Sequence, residues 1–114
     1  MRLRSDKADH WCHLGQAYAA QGDLEQAANA LQQALQIDPK NVPAYLSLGM
    51  VRIGQKNPDA AIACFQQVLR VEPDNVGAHD ILAKLYAEKG DTAAAEKHRQ
   101  ELLRIQRQHP PSGH

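Results

Sequence analysis

The sequence predicts an all-α fold made of three helix-turn-helix repeats. Apolar positions recur every 34 residues, so that Trp11 is followed by Tyr45 and then His79, and Leu14 by Leu48. The chain is 43% hydrophobic but only 4% aromatic, and alanine and leucine dominate, which favours helices over strands. The division that follows is a lead-in over 1–7, repeats over 8–41, 42–75 and 76–109, and a disordered tail over 110–114.

The first repeat carries start and stop signals for two helices. We expect its first helix to begin at Ser5 or Asp6 and to end before Gly22. Asp23 can cap the second helix, which ends before Pro39 because the residue preceding a proline avoids the helical region. The apolar residues of the first helix lie on one face, at Trp11, Leu14, Ala17 and Tyr18.

The second repeat follows the same plan with sharper helix starts. Asn41 and Asn57 are predicted N-caps, and a proline follows each of them within the first helical turn, where a missing N–H is tolerated. Pro73 marks the end of the repeat, as Pro39 does for the first. The apolar residues of its second helix are Ala61, Ile62, Phe65, Val68, Leu69 and Val71.

The third repeat departs from the pattern in its second helix. Arg99 stands where the first two repeats have Leu31 and Phe65, and Lys97 and His98 adjoin it. We interpret this helix as a cap, whose polar face lies where a fourth repeat would stack.

A 34-residue period with an aromatic residue, then Leu-Gly, Tyr, Ala and a closing Pro resembles the tetratricopeptide repeat (TPR). The resemblance covers about Ala8 to Arg107. The first repeat matches at every signature position, the second has Arg52 in place of the tyrosine, and the third lacks the closing proline. The resemblance implies antiparallel helix pairs in a right-handed superhelix, whose concave surface is lined by the first helix of each pair. It also implies a protein that binds peptides or partner proteins and performs no chemistry.

Small residues in each repeat mark the close approach of its two helices. Gly15, Gly49 and Ala83 occupy one side of this predicted contact, and three alanines at the 34-residue spacing occupy the other: Ala27, Ala61 and Ala95. Because a single pair cannot bury its apolar faces alone, stacking of the three repeats is expected to form the core.

By the same resemblance, residues of the three first helices line the groove. They are Asp9, Cys12, His13 and Gln16 in the first repeat, Leu46, Ser47, Met50 and Ile53 in the second, and Gly77, Asp80, Ile81 and Lys84 in the third. Leu46, Met50 and Ile53 form an apolar stripe at i, i+4 and i+7. This stripe either contacts a ligand, for which methionine is well suited, or only packs against neighbouring helices.

One class of TPR ligand is disfavoured. Domains that clamp the C-terminal carboxylates of chaperones use Lys and Asn in the first repeat, Asn in the second, and Lys and Arg in the third. The matching residues here are Cys12, Gln16, Ser47, Gly77 and Ile81, and none of them is of the required type. We therefore expect an extended or helical ligand with apolar side chains, held through its backbone by Gln16, Ser47 and Lys84.

Metal and catalytic sites are not expected. His10 and His13 form an i, i+3 pair, but a stable metal site needs three or four convergent ligands. The thiol of Cys12 is predicted to face the groove, yet His13 points about 100° away on the helix and is badly placed as its base. Cys64 and His79 are interpreted as packing residues, the latter with one ring nitrogen hydrogen-bonded, and His98 as a surface residue. We predict neither cofactor nor enzyme activity.

Charge and hydropathy limit the partners and the compartment. Thirteen basic residues balance thirteen acidic ones, so the chain lacks the positive field that drives binding to nucleic acid or anionic membranes. It has no signal-peptide pattern and no apolar run long enough to span a bilayer, so a cytoplasmic location is expected.

Two hypotheses for function remain. The first is an adaptor that binds a peptide or helix of a partner protein in its groove. The second is a structural module that self-associates, or packs on a neighbouring domain, through the ends of the array, which include Leu3, Leu102, Leu103 and Ile105. The corresponding oligomeric state is a monomer or a weak homodimer.

Overall fold

The computed structural model describes residues 3–108, which form six helices and no strand. Their bounds are α1 Leu3–Ala20, α2 Leu24–Ile37, α3 Val42–Gly54, α4 Pro58–Val71, α5 Val76–Lys89 and α6 Thr92–Gln108. Consecutive helices pair as α1 with α2, α3 with α4 and α5 with α6, which confirms the all-α repeat solenoid. Helix α1 begins by Leu3, earlier than Ser5 or Asp6. The predicted tail over 110–114 lies outside the described residues.

Side-chain caps start the helices where the sequence predicts them. The Oδ1 atom of Asp23 accepts a hydrogen bond from the backbone N–H of Gln26 at 3.2 Å, at the start of α2. Asn41 and Asn57 accept in the same way at 2.9 and 3.2 Å, at the starts of α3 and α4. Each cap satisfies a backbone N–H that has no partner within its helix. Asn75 and Asp91 do the same for α5 and α6.

The two glycines of the predicted close approach lie against bulky side chains of their own repeats. A Cβ atom on Gly15 would come within 2.6 Å of Cγ of Leu31. A Cβ on Gly49 would come within 2.6 Å of the ring of Phe65. Both Leu31 and Phe65 are fully buried. The glycines are therefore required because they make room for the largest fully buried side chain of the second helix in each pair.

The cap interpretation of Arg99 stays a prediction. Its equivalents, Leu31 and Phe65, lie against the glycine in the first helix of their own repeat. In the third repeat Ala83 takes the place of the glycine, and the side chain of Arg99 is 53% exposed and lies 3.7 Å from Glu96.

The apolar core crosses the boundaries between repeats. One cluster combines residues of α1 and α2, such as Leu31, with Leu48 of α3 and Cys64 of α4. A second cluster combines residues of α3 and α4, such as Phe65, with Leu82 of α5. Each repeat after the first therefore buries its own leucine against the repeat before it, as expected for stacked repeats. The buried apolar residues of α6 belong to neither cluster.

Among residues 3–108, no helix combines the length and the hydrophobicity that crossing a membrane requires.

We predict that Gly49→Ala destabilises the fold by about 1–3 kcal/mol, because the added methyl group overlaps the buried ring of Phe65. Urea unfolding followed by far-UV circular dichroism measures the change. Gly77→Ala is the matched control, since the nearest atom to its new Cβ would be Oδ1 of Asn75 at 3.4 Å. An equal loss of stability in both variants would show that the contact between Gly49 and Phe65 is not the cause.

Candidate functional site

A depression between α1 and α3 brings three of the predicted groove residues together. It has a volume of about 310 Å³ and is lined by Gln16, Ala19, Leu24, Ser47, Met50 and Val51. We call it the α1–α3 groove. Gln16, Ser47 and Met50 were predicted from the sequence. Helices α1 and α3 supply five of its residues, and Leu24 comes from the start of α2.

The polar part of the α1–α3 groove is one hydrogen-bonded pair. Nε2 of Gln16 donates to Oγ of Ser47 at 3.0 Å and so links the first two repeats. The hydroxyl of Ser47 keeps its own proton to donate, and Oε1 of Gln16 keeps its acceptor capacity. These are the groups with which a backbone N–H or C=O of a bound peptide would pair. The pair thus fits a ligand that offers amide groups.

The apolar part of the groove comes from Met50 and the three residues that sequence reasoning missed. Met50 is 53% exposed, although large apolar side chains are usually covered. The 34-residue period identifies Ala19, because it is the equivalent of Ile53, one of the predicted groove residues. Val51 is the equivalent of Ala17, a residue of the apolar packing face, and no sequence signal marks Leu24.

The structure corrects the position of Cys12. Its side chain is only 4% exposed and belongs to the first core cluster, so it does not offer an open thiol to the groove. Burial raises the pKa of this thiol, and the charge of Asp9 raises it further. Cys64 is also buried, as predicted, and burial raises its pKa although Arg52 opposes the shift. Thiols in such surroundings are poor nucleophiles.

The predicted apolar stripe of α3 divides into two parts. Leu46 and Ile53 are half-buried and pack against the second core cluster, as does Ile81 of α5. Only Met50 remains largely open to solvent. Packing against neighbouring helices therefore accounts for two of the three residues, and a ligand contact is left for the third.

The charged residues of the predicted groove lie elsewhere. Asp9 and His13 are exposed on α1, and neither lines the α1–α3 groove. Lys84 and Asp80 form an i, i+4 ion pair on α5, with 3.3 Å between Nζ and Oδ2. Gly77 is exposed in the first turn of the same helix. The third repeat thus adds a paired cation to its surface.

The hydrogen bonding of His79 and the burial of His98 differ from what the sequence predicts. His79 is 5% exposed and both of its ring nitrogens have partners, where one was predicted. His98 is half-buried against His79 and Tyr86, and is not a surface residue. Within the described part of the chain, no group of three or more His, Cys, Asp or Glu side chains is placed to hold a metal ion.

A second depression lies on the α1–α2 pair and was not predicted. It has a volume of about 470 Å³. Trp11, Leu14 and Tyr18 line it from α1, and they are only half-buried. The equivalents of Leu14, which are Leu48 and Leu82, are buried against the preceding repeat. We call this surface the α1–α2 face; its α2 residues are Gln26, Asn29, Ala30 and Gln33.

The sequence profile described as "Cytochrome c-type biogenesis protein H TPR domain" matches residues 1–112. The chain belongs to this family. The match confirms the tetratricopeptide repeats that the 34-residue period predicts. No curated protein matches this TPR domain at a significant level.

Solved structures resemble the TPR domain in fold. MamA is 24% identical with a TM-score of 0.87, over 90% of this chain and 60% of its own, so the domain spans less than two thirds of that protein. The translocator chaperone SycD of Yersinia enterocolitica type III secretion is 21% identical, with a TM-score of 0.83, over 93% of this chain and 73% of its own. The second TPR of Spaghetti (RPAP3), bound to the HSP90 peptide SRMEEVD, is 13% identical and has a TM-score of 0.82. The match covers 92% of this chain and 99% of that one. Identities this low show the fold alone.

We predict that both thiols of the native TPR domain react with a disulfide reagent such as DTNB at pH 8 at least roughly tenfold more slowly than free cysteine. Their raised pKa values leave less thiolate at that pH, and burial limits access. Stopped-flow absorbance measures the rates, and the same protein in urea, where both thiols should react fast, is the control. Fast reaction of one thiol in the native protein would show that Cys12 or Cys64 is open to solvent.

Proposed function

We propose that this TPR domain is a protein-interaction module without catalytic activity, which binds an extended or helical segment of a partner protein in the α1–α3 groove. The observation that carries the proposal is the convergence of Gln16, Ser47 and Met50, from two repeats, around one open apolar depression. An apolar side chain of the ligand would contact Met50 and Leu24. Its backbone would pair with the amide of Gln16 and the hydroxyl of Ser47.

The groove favours a ligand without a cluster of acidic groups. The side chains that line it are uncharged, and Lys84 on α5 is already paired with Asp80. The RPAP3 domain, by contrast, was solved with a peptide that contains two glutamates and an aspartate. The positions that a carboxylate clamp would use include Gln16 and Ser47, which carry no positive charge. We therefore propose a neutral, apolar segment as the ligand.

The family suggests the process in which the partner takes part. Because the profile is that of a protein of cytochrome c-type biogenesis, we place the partner among the proteins of that process. The adaptor role, the exclusion of nucleic acid as a partner and the cytoplasmic location are parts of this proposal and rest on the sequence.

We predict that Met50→Glu weakens binding of an apolar peptide by about tenfold or more, because it places an unpaired charge against the apolar wall of the groove. The probes are labelled peptides selected from a random displayed library on the wild-type protein, and fluorescence anisotropy measures their affinity. The same measurement with the peptide SRMEEVD should show no binding. Circular dichroism should show unchanged helicity, because Met50 is already 53% exposed.

Leu103→Glu is the matched control for this substitution. Leu103 is an apolar residue of similar exposure, 46%, but it lies on α6, away from the groove. It should leave the affinity for the selected peptides unchanged. If the selected peptides carry no apolar residue, or if both variants bind them as the wild type does, the α1–α3 groove is not the binding site.

The second candidate is self-association of the TPR domain, and the α1–α2 face favours it. This face lies at one end of the array and is apolar in part, while Leu103 is exposed on the last helix. The sequence also indicated Leu3, Leu102 and Ile105 for this role. Ile105 is buried and Leu102 is half-buried, and the side chain of Leu3 lies outside the described part of the structure. The solved chaperone SycD has been observed as a dimer. A second copy would place its α6 on the α1–α2 face.

We predict for this candidate that the weight-average mass rises with concentration in sedimentation equilibrium, from micromolar to millimolar protein. Leu103→Glu should lower the association constant by about tenfold, since burying a charge in place of a leucine is costly. Met50→Glu is the control and should leave association unchanged. A constant monomer mass over this range would remove the self-association candidate and leave the groove proposal intact.

A further inference from the structure

The third repeat contains a hydrogen-bonded pair of histidines that the first two repeats lack. His79 of α5 and His98 of α6 face each other, with 2.9 Å between their Nδ1 atoms. Nε2 of His79 lies 2.8 Å from the carbonyl oxygen of Pro73, in the segment between α4 and α5. The ring of His98 stacks on Tyr86, with 5.7 Å between centroids and 5° between planes. The pair therefore joins α6 to α5 and to the end of the second repeat.

The partners of the two rings fix where their protons lie. The carbonyl oxygen of Pro73 can only accept, so Nε2 of His79 must carry a proton. In a neutral ring Nδ1 of His79 then has a lone pair and accepts. Nδ1 of His98 must therefore carry the proton of the bond between the rings. The neutral pair has one consistent arrangement, in which Nε2 of His98 is unprotonated.

We propose that the His79–His98 hydrogen bond is a proton-sensitive clasp, which holds α6 on α5 while the pair is neutral and releases it when the pair takes up two protons. The first proton can bind at Nε2 of His98 without breaking the bond, because Nδ1 of His98 still donates. With a second proton, on Nδ1 of His79, two N–H groups face each other at 2.9 Å. The two positive rings then repel, and the contact opens.

The surroundings of His98 oppose its protonation. Burial lowers the pKa of His98 below its ordinary value of 6.5, and the neighbouring His79 and Lys97 lower it further, while Glu101 opposes the shift. Glu101 also forms an ion pair with Arg104 at 2.9 Å. Arg104 in turn binds Asp74, in the segment between α4 and α5, at 2.7 Å. From α5, Tyr86 presents a neutral ring to His98. On the α4 side, Gln66 donates to the hydroxyl of Tyr86, and no ionised group of α4 contacts either histidine among the described hydrogen bonds and ion pairs.

The sign of the pH dependence follows from this shift. In the unfolded chain His98 takes up a proton near its ordinary pKa, whereas in the folded protein its pKa is lower. The unfolded chain therefore binds more protons below about pH 6.5. Uptake of the first proton therefore lowers the free energy of unfolding as the pH falls from about 6.5 to the lower pKa of folded His98, and the second proton then opens the contact.

The clasp matters because α6 has few apolar contacts to replace it. Only Ala95 and Ile105 are buried in this helix, and Arg99 occupies the position of the buried Leu31 and Phe65. The equivalents of the histidine pair in the first repeat are Trp11 and Ala30, and in the second Tyr45 and Cys64. None of these four side chains gains a proton near neutral pH. Acid sensitivity should therefore be confined to the third repeat.

Hydrogen exchange of the full chain at pH 7.5 and pH 5.5 tests the clasp, with intrinsic rates at each pH taken into account. We expect the amides of α6 to lose protection at pH 5.5, by up to about tenfold per pH unit for each proton bound. The amides of α1 and α2 should keep theirs.

Two variants separate the clasp from a general effect of acid. The double substitution His79→Tyr with His98→Ala installs residue types found in the first two repeats and should remove the acid-induced loss in α6. His10→Gln replaces an exposed histidine of α1 and should leave that loss as in the wild type. Equal losses in the double variant and the wild type would overturn the proposal.

Nitrogen NMR of the wild-type imidazole rings tests the same geometry without any substitution. At pH 7.5 we expect the proton of His79 on Nε2 and that of His98 on Nδ1, and the pKa of His98 should lie below its ordinary value of 6.5. A proton on Nε2 of neutral His98, or an ordinary pKa for His98, would show that the bond between them does not hold α6.

Discussion

The structure depends on burial of each repeat against its neighbour. Leu48 and Leu82 are buried in clusters that each combine residues of their own repeat with residues of the repeat before. Within a pair, Gly15 and Gly49 let the helices approach until Leu31 and Phe65 fill the space between them. Short-range contacts therefore shape the pair, and contacts between repeats stabilise it. This is the nearest-neighbour energetics expected of repeat proteins.

The same constraint determines which residues remain free for function. On α3, Leu48 and Val51 face the first repeat, while Leu46 and Ile53 pack toward the third. Ser47 and Met50 belong to neither set. The groove lies at these two residues and at Val51, which also packs in the first set.

The period of the sequence predicted the helices, their caps and the close approach at the glycines, because these depend on local residue types at fixed spacing. It predicted the groove only in part. When the repeats are aligned by their 34-residue period, Met50 lies four positions after the equivalent of Cys12. The sequence pattern assigns both residues to the groove side of their helices. Only the contact with the adjoining helices shows that one is buried and the other is open. Leu24 reaches the groove from another helix, which no spacing within α1 or α3 can reveal.

The third repeat shows how a repeat can lose its apolar contact and keep its helix pair. With Arg99 at the position of Phe65, α6 cannot fill the space beside Ala83 with an apolar side chain. It instead contacts α5 one position earlier, through His98, whose ring pairs with His79 and stacks on Tyr86. Polar contacts of this kind depend on protonation, whereas the contact of Phe65 with Gly49 does not. In the proposed clasp, His79 and His98 thus give the third repeat alone a response to pH, while the rest of the array keeps its apolar core.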